Sequence, residues 1–483
     1  MPPAPAPSPA PPPASAPSRR LGLSVTGPAG FLLLWTAWTW SGLRTAWLWP
    51  SVAAGALLLG VTFARGRDWR KSPAFYLGGL FLLYLLVQWF NAGRALYLDV
   101  GLNKWVHSPP RFHGWPFAFN RGEAAQMLFW FFPAWGLITA LRESALSRRA
   151  TERLFLTVVY ASGALAVLGI LQFLSGTDRM YWLAPMRTTF FATFGYTNHA
   201  AAYFLTVAAL ACGYLYHEAF HPLREAKRGR ATLLALSACL CAIAANLSLS
   251  RAGIILSWAF ILFCLWAGLS RGLTRFRPAA KFNLAFLAAG IVLALFMAVV
   301  GMADGGIREE FEVRDPDEVS FLPKFLQRFD LSPRRNRYEL AMAAVRIWRA
   351  HPRFGVGGWG FRHLLAFHVP EHDWHYVVIR SGRANVHNDY LQFLAEFGAV
   401  GFGLGMVAVP VALWFGVWRA RKRPRRELTF SFAVLALGVP LVFATWDLPF
   451  RCPAILYLWC AILAGLPSLS ASHGAPVPVN SGR

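Results

Sequence analysis

Apolar runs of about 20 residues recur along the chain, and few charged residues interrupt them. A helix of that length and composition is long enough to cross the hydrocarbon core of a bilayer. Twelve runs occur, at roughly 29–43, 45–64, 74–92, 123–141, 154–174, 198–216, 231–249, 252–269, 283–302, 397–418, 428–446 and 451–468. We therefore expect an all-α integral membrane protein, a bundle of about 12 transmembrane helices.

The boundary between the first two runs is ambiguous. Only residues 41–44 separate them, and Pro50 lies near the start of the second run. Proline is tolerated in the first turn of a helix but kinks a helix interior, so Pro50 either begins a separate span or bends a single long one. The sequence leaves these two arrangements open.

Basic residues predict which loops face the cytoplasm. Twenty-two of the 47 Lys and Arg lie in five short segments, 65–71, 142–153, 217–230, 270–281 and 419–426. An excess of Lys and Arg in short loops marks the cytoplasmic side. If the N-terminal tail is cytoplasmic and each run crosses once, all five segments are cytoplasmic. The external segments are then 93–122, 175–197, 250–251, 303–396 and 447–450.

Charge and composition divide the remaining chain. The Lys and Arg residues responsible for the net charge of +24 cluster in the predicted cytoplasmic loops and do not indicate a nucleic-acid-binding face. We therefore expect no nucleic-acid partner. We expect residues 1–20 to form a disordered, Pro-rich cytoplasmic tail, 21–302 the first nine spans, 303–396 a large external loop, 397–468 the last three spans and 469–483 a second cytoplasmic tail. The loop contains its own helical pattern of apolar residues, which predicts amphipathic helices along the membrane surface: Tyr338, Leu340, Ala341, Ala344, Val345 and Trp348.

The six cysteines all fall inside apolar runs or at their edges. We expect them to be small buried hydrophobic residues rather than a disulfide framework.

Three arginines are expected at the same outer boundary of the membrane: Arg187, Arg251 and Arg337. An arginine at this depth either snorkels toward the headgroups or binds an anion. Its planar guanidinium binds phosphate oxygens in a bidentate way. The three arginines are therefore candidates for binding a lipid diphosphate.

His387 is the candidate catalytic residue. It stands just before the helix that begins the tenth predicted span, and Asn388 and Asp389 are placed to cap that helix. A neutral histidine can accept a proton from an attacking hydroxyl. Asp389 or Glu396 could orient the ring, and the sequence does not decide between them. The structural alternative, a packing or capping histidine, stays open.

Further polar and glycine positions are candidates for substrate contact or local structure. Asn198 and His199 open the sixth span, where they cap the helix or contact a sugar or phosphate. Gly357 lies in a glycine-rich, aromatic stretch that either approaches a sugar or forms a packing bend. The chain lacks a GxSxG and a CxxC motif. We expect no metal site.

The run from His387 to Gly401 reads His-Asn, nine residues, Gly398, two residues and Gly401, and it resembles the signature of O-antigen ligases. Three other pieces resemble the O-antigen ligase and polymerase superfamily: GYTNHAAAY after Arg187, the Ser-Arg pair at 250–251, and the stretch from Arg337 through WRAHPRFGVGGWGF. The order and spacing of these pieces along the chain also resemble those of the superfamily. The resemblance covers roughly residues 185–405.

This resemblance implies a metal-independent glycosyltransferase with a GT-C-like bundle and no cofactor. Its donor would be a glycan on undecaprenyl diphosphate, and its acceptor lipid A-core or another glycan, at the periplasmic face of the bacterial inner membrane. His387 would be the base, and Arg187, Arg251 and, more weakly, Arg337 would hold the diphosphate. Asn198, Asn388, Asp389, Glu396, Gly398 and Gly357 would support the site or contact substrate.

Ligase and polymerase remain alternatives within this superfamily. A transporter of lipid-linked glycans is a rival from another class, but transporters often bury charged groups at the bilayer midplane. Here most charges lie at helix ends. A non-catalytic scaffold gives no reason to gather three arginines and a histidine at one boundary.

Overall fold

The computed structural model describes residues 24–65, 69–144, 146–186, 190–220, 228–270, 334–369, 385–420 and 428–469. These residues form mostly α-helices. In chain order they are α1 Thr26–Trp38, α2 Leu48–Ala64, α3 Pro73–Phe90, α4 Arg121–Glu143, α5 Arg148–Leu174, α6 Thr197–Phe220, α7 Arg228–Leu247, α8 Arg251–Ser270, α9 Arg334–Ala350, α10 Phe361–His368, α11 Asp389–Phe402, α12 Val409–Ala420, α13 Leu428–Phe443 and α14 Pro453–Leu469. A π-helical segment, Gly403–Ala408, joins α11 to α12.

Two short antiparallel hairpins lie between helices. One pairs β1 Leu96–Asp99 with β2 Lys104–His107, and the other pairs β3 Arg179–Met180 with β4 Ala184–Pro185. The hydropathy pattern does not predict them, because each strand is only two to four residues long.

Six helical stretches among the described residues are long and apolar enough to cross a membrane: Pro73–Phe90, Arg121–Glu143, Arg148–Leu174, Thr197–Glu218, Gly229–Leu247 and Asp389–Phe415. Four shorter apolar helices accompany them, Leu48–Ala64, Arg251–Cys264, Thr429–Phe443 and Pro453–Leu469. The prediction of a helical membrane protein is confirmed. The run at 283–302 lies outside the described residues, so the count of 12 spans stays a prediction.

The first two apolar runs are separate helices. α1 ends at Trp38, and two 3₁₀ turns, Trp40–Gly42 and Thr45–Trp47, precede α2. Pro50 lies in the first turn of α2, where its missing N–H breaks no helical hydrogen bond. Pro50 therefore helps to begin the second helix rather than bending a single long one.

Most of the predicted external segments meet at one end of the bundle, here called the outer end. The Ser41 hydroxyl donates to the Thr193 carbonyl, and the Asn198 amide donates to Asp447. The backbone of Gly357 lies against that of Ala118. At the opposite end, Arg230 pairs with Glu218 at 3.1 Å, and Arg148 and Arg230 both lie within electrostatic range of Tyr214. Two of the basic segments therefore share that opposite end.

Helix α6 forms the centre of the bundle. Residues 199–218 of this helix are all buried. Small residues such as Ala201 and Ala208 let neighbouring helices approach closely, which is how helices associate in lipid. All six cysteines are buried and none forms a disulfide, as predicted.

The tenth predicted span begins earlier than its hydropathy suggests. α11 starts at Asp389, whereas the prediction from hydropathy places the span at 397–418 and extends the external loop to 396. The reason is a cap: the Asn388 side chain accepts a hydrogen bond from the Leu391 amide at 2.9 Å. The predicted helical pattern around Tyr338–Trp348 is confirmed as part of α9.

Two glycine backbones interlock between α11 and the segment that precedes α10. Gly398 has φ +60° inside α11, and Gly355 has φ +62°. A Cβ on Gly398 would lie 2.5 Å from the Arg353 carbonyl oxygen, and a Cβ on Gly355 would lie 2.4 Å from the Glu396 carbonyl carbon. Real Cβ contacts are essentially never this short, so only glycine fits either position. The pairing fixes the 351–360 segment against the helix that follows His387.

Candidate functional site

His387 lies at the outer end in a strained backbone conformation. Its φ is +53°, a left-handed value that costs of order 1–3 kcal/mol for a residue with a side chain. Neighbouring contacts hold this conformation, because Asn388 caps α11 and donates from Nδ2 to the Thr445 carbonyl at 2.8 Å. The Asp389 amide also donates to the carbonyls of Ala444 and Asp447, each at 3.0 Å. The His387 ring is thus fixed against the loop that joins α13 to α14.

Asp447, in that loop, is the residue that faces the ring. Its Oδ1 lies 3.6 Å from His387 Nδ1. The Asp447 side chain is 1% exposed and the His387 side chain is 32% exposed. Asp447 Oδ1 also accepts a hydrogen bond from the Leu448 amide at 2.8 Å, and Oδ2 accepts one from Asn198 Nδ2. A buried carboxylate therefore holds one nitrogen of a partly exposed imidazole.

The surroundings of Asp447 favour its charged form. Burial alone would raise its pKa, but the contact with His387, the nearby His199 and the Asn198 amide outweigh burial and bring the pKa below its usual value. Asp447 is therefore a carboxylate at neutral pH. A carboxylate beside a histidine fixes the tautomer of the ring and stabilises its protonated form.

Asn198 links this carboxylate to the start of α8. Its Nδ2 donates to the Tyr196 hydroxyl at 2.9 Å as well as to Asp447, and its Oδ1 accepts from the Ser250 hydroxyl. Ser250 in turn accepts from the Gly253 amide at 3.0 Å, which caps α8. We call Tyr196, Asn198, Ser250, His387 and Asp447 the Asp447 cluster.

The arginines stand around this cluster to different extents. Arg251, exposed, directly follows Ser250 in the first turn of α8. Arg337 is exposed on α9, donates to the Trp446 carbonyl at 3.5 Å and lies within electrostatic range of Tyr196. Arg187 lies outside the described residues. The structure therefore brings two of the three predicted arginines to the cluster that contains His387.

His199, on the first turn of α6, is buried and makes a contact of 3.0 Å between Nε2 and the Leu448 carbonyl. It supports the loop that carries Asp447 and is too enclosed to meet a substrate.

Asp389 and Glu396, the two carboxylates expected to orient His387, make other contacts. Asp389 Oδ2 accepts from the Phe450 amide at 2.8 Å. Glu396 is buried in an ion pair with Arg451, and Gln392 donates to it at 2.9 Å. The guanidinium of Arg451 also lies over the Trp359 ring, 4.8 Å from its centroid. These side chains stabilise the junction of α11 with the loop before α14.

Gly357 and Gly398 belong to the packing of the outer end. A Cβ on Gly357 would lie 2.5 Å from the Phe117 carbonyl oxygen, and its amide donates to the Glu396 carbonyl at 2.7 Å. Gly398 takes part in the interlock with Gly355 described above. Both glycines have backbone rather than substrate-contacting roles in the described contacts.

Sequence reasoning missed Asp447, Tyr196 and Ser250 as site residues. A signal for Asp447 was present, since Asp447 and Arg451 are the only charged residues between 428 and 468. Charges inside so apolar a stretch are costly unless they are paired or functional. Among the described residues, no group of three His, Cys, Asp or Glu side chains is arranged to hold a metal ion.

The fold and the outer-end cluster define a helical membrane protein with a histidine–carboxylate pair flanked by arginines. A family model described as O-antigen ligase matches residues 236–406, about a third of the chain. The matched region contains Arg251, Arg337 and the whole motif from His387 to Gly401. The match confirms the resemblance expected from that motif and supports the O-antigen ligase superfamily for this chain. No curated protein matches it.

Proposed function

We propose that this protein is an O-antigen ligase-type glycosyltransferase of the bacterial inner membrane. It would transfer a glycan from undecaprenyl diphosphate to an acceptor hydroxyl, such as one on lipid A-core, at the periplasmic face. The observation that carries this proposal is the pairing of His387 with the buried Asp447 carboxylate beside Arg251 and Arg337. The match to the O-antigen ligase family supports the reaction class.

His387 would act as the general base. With Nδ1 held toward Asp447, the other ring nitrogen is available to accept the proton of the acceptor hydroxyl. The hydroxyl oxygen then forms a bond to the anomeric carbon of the donor sugar. The bond from that carbon to the diphosphate oxygen breaks, and its electron pair leaves with the lipid diphosphate. Asp447 stabilises the imidazolium until the proton passes to solvent.

The arginines would stabilise the leaving group. Negative charge grows on the diphosphate as the glycosidic bond breaks, and preorganised guanidinium groups bind that charge most strongly in the transition state. Arg251 and Arg337 are exposed beside the cluster and so are accessible to a headgroup. Arg187, which the family resemblance also implies, would contribute in the same way. The diphosphate linkage supplies the driving force, so the reaction needs no nucleotide.

A polymerase of the same superfamily is the second candidate. It would use the same donor and the same base but add the glycan to another lipid-linked chain. The spacing of the motif from His387 to Gly401 favours the ligase.

The test uses a bacterial host that lacks its own O-antigen ligase but still makes lipid-linked O-antigen. Wild type, His387→Ala, Arg251→Ala and Arg349→Ala would be expressed at levels matched by blotting, and lipopolysaccharide would be separated on a gel. We expect a ladder with wild type and with Arg349→Ala, an exposed arginine of α9, and none with the other two variants. A well-expressed wild type that yields longer lipid-linked glycan but no modified lipid A-core would favour the polymerase. A ladder with His387→Ala would refute the role of the base.

A further inference from the structure

The β1–β2 hairpin has one apolar face. Leu98 is paired with Trp105 and Leu96 with His107, and directly opposite residues share a face while successive residues alternate. Leu96, Leu98 and Trp105 are 51%, 45% and 57% exposed. The opposite face carries Tyr97, Val106 and the charged pair Asp99 and Lys104.

The tip of the hairpin extends this apolar face. Val100 is 85% exposed and Leu102 is 64% exposed. At the base, the His107 ring packs against Phe119 and Phe367, with centroids 4.6 and 5.6 Å away. Burial lowers the pKa of His107 to about 4, helped by the nearby Arg94 and His363, so the ring is uncharged at neutral pH. The face is therefore apolar from base to tip, and its base is fixed to α10.

The position of the hairpin relates this face to the lipid. α3 exposes a stripe of apolar side chains at Leu80, Leu83, Leu86 and Phe90, which on a spanning helix is the side that contacts lipid. Only five residues, 91–95, separate the end of α3 at Phe90 from the start of β1. A short connection therefore joins the hairpin to the end of a spanning helix that exposes an apolar stripe.

The composition of the same segment matches a membrane interface. Trp105 and Trp115 are both more than half exposed, and aromatic residues of this kind concentrate at the level of the headgroups. Between residues 91 and 122 one residue, Asp99, is acidic, and four are basic: Arg94, Lys104, Arg111 and Arg121. The acidic headgroups of a bilayer attract such a basic segment.

We propose that the β1–β2 hairpin is an interfacial anchor that inserts Leu96, Leu98, Trp105 and the Val100–Leu102 tip into the outer-end leaflet of the bilayer. Lys104 on the opposite face contacts acidic headgroups. Because the base of the hairpin packs on α10, and the segment before α10 interlocks with Gly398 of α11, the anchor sets the height of the His387 helix relative to the membrane surface.

The test places a fluorophore on each face of the hairpin in the full-length protein. Leu98 and Tyr97 are neighbours with the same exposure, 45%, on opposite faces, so Leu98→Cys and Tyr97→Cys form a matched pair. The six native cysteines are buried, and wild type treated with the same reagent gives the background. The proteins would be placed in nanodiscs of phosphatidylethanolamine and phosphatidylglycerol, after size-exclusion profiles establish that both variants fold.

Two quenchers distinguish the possible environments. We expect the label at Leu98→Cys to be quenched by a spin-labelled lipid and shielded from aqueous iodide, and the label at Tyr97→Cys to show the reverse preference. Equal iodide quenching at the two positions would refute the anchor. A label at Leu98→Cys that neither quencher reaches would also refute it, because another part of the protein would then cover the face.

Charge provides a second, independent measurement. Lys104→Glu in the Leu98→Cys background should reduce quenching by the spin-labelled lipid in discs that contain phosphatidylglycerol and leave it unchanged in discs of phosphatidylcholine. A loss of equal size in both kinds of disc would contradict the contact between Lys104 and acidic headgroups.

Discussion

The Oδ1 atom of Asp447 lies 3.6 Å from Nδ1 of His387, although the two residues belong to different segments of the outer end. The carboxylate is buried and hydrogen-bonded to Asn198 and to the Leu448 amide, so it is fixed, while the imidazole is partly exposed. This relationship gives the histidine of the motif a defined orientation. The Asn388 cap and the contacts of the Asp389 amide hold its left-handed backbone.

Arg337 and Arg349, both exposed on α9, should differ in their effect on activity. Arg337 lies near the Asp447 cluster and Arg349 lies about three turns further along the same helix. Removing one donor that stabilises transition-state charge costs up to about 10²–10³ in rate. We expect Arg337→Ala to lower ligation by about 10-fold or more and Arg349→Ala to leave it near wild type, measured as initial rates at matched protein levels. Equal activities would remove Arg337 from the site.

Glycine at 398 should be required for stability, and glycine at 403 should not. An alanine at 398 would meet the Arg353 carbonyl and adopt a strained positive φ, at a cost of order 1–3 kcal/mol. Gly403 has φ −59°, and a Cβ added there would meet no atom within 4 Å, so alanine fits. Thermal unfolding in detergent should show a lower Tm for Gly398→Ala only. A wild-type Tm for Gly398→Ala would contradict the interlock with Gly355.

Removing only one partner of the buried Glu396–Arg451 ion pair should lower the stability of the protein. Removing one partner leaves a buried charge without compensation, which typically destabilises a protein by about 3–5 kcal/mol. We expect Arg451→Met to lower the Tm strongly, and the double variant Glu396→Gln with Arg451→Met to recover part of that loss. Arg353→Met, at an exposed arginine, serves as the control. A double variant less stable than Arg451→Met alone would show that the pair is not the cause.

His107 should make the protein less stable in mild acid. Its pKa is lowered from 6.5 to about 4 by burial in the folded protein, so the unfolded chain binds a proton first as the pH falls. The contribution of the neutral ring is fully present above pH 6.5 and is lost progressively between pH 6.5 and about 4. His107→Gln should flatten the dependence of the Tm on pH in this window. An unchanged slope would assign the acid sensitivity to other groups.

Much of the fold could be predicted from the sequence, because crossing a bilayer demands long apolar helices. The α11 cap at Asn388 followed from its residue type and from the apolar run behind it. The apolar run at 397–418 begins later than α11, since the first turns of the helix carry polar residues that hydropathy assigns to the loop. The strands of the two hairpins are only two to four residues long, too short to give a sequence pattern as clear as that of an apolar helix.

The site was only partly predictable. Motif spacing and topology identified His387, Asn198 and the arginines, but not the contacts between them. Asp447 becomes the partner of His387 because α11 packs against the loop after α13. Which of these loop segments contact each other cannot be read from a single sequence. Asp389 and Glu396, which are closer to His387 in sequence, were the two candidates to orient the ring. Helical geometry directs them instead toward Phe450 and Arg451.

The transfer rate of purified protein in nanodiscs, with lipid-linked O-antigen as donor and lipid A-core as acceptor, tests the His387–Asp447 pair without the complications of a living host. We expect His387→Ala to lower kcat by about 10²–10⁴, the usual contribution of a general base. Asp447→Asn should lower kcat substantially with little change in the KM for the donor, in a protein whose Tm stays close to that of wild type. A wild-type kcat for either variant would contradict the proposal that Asp447 orients His387 to accept the proton of the acceptor hydroxyl.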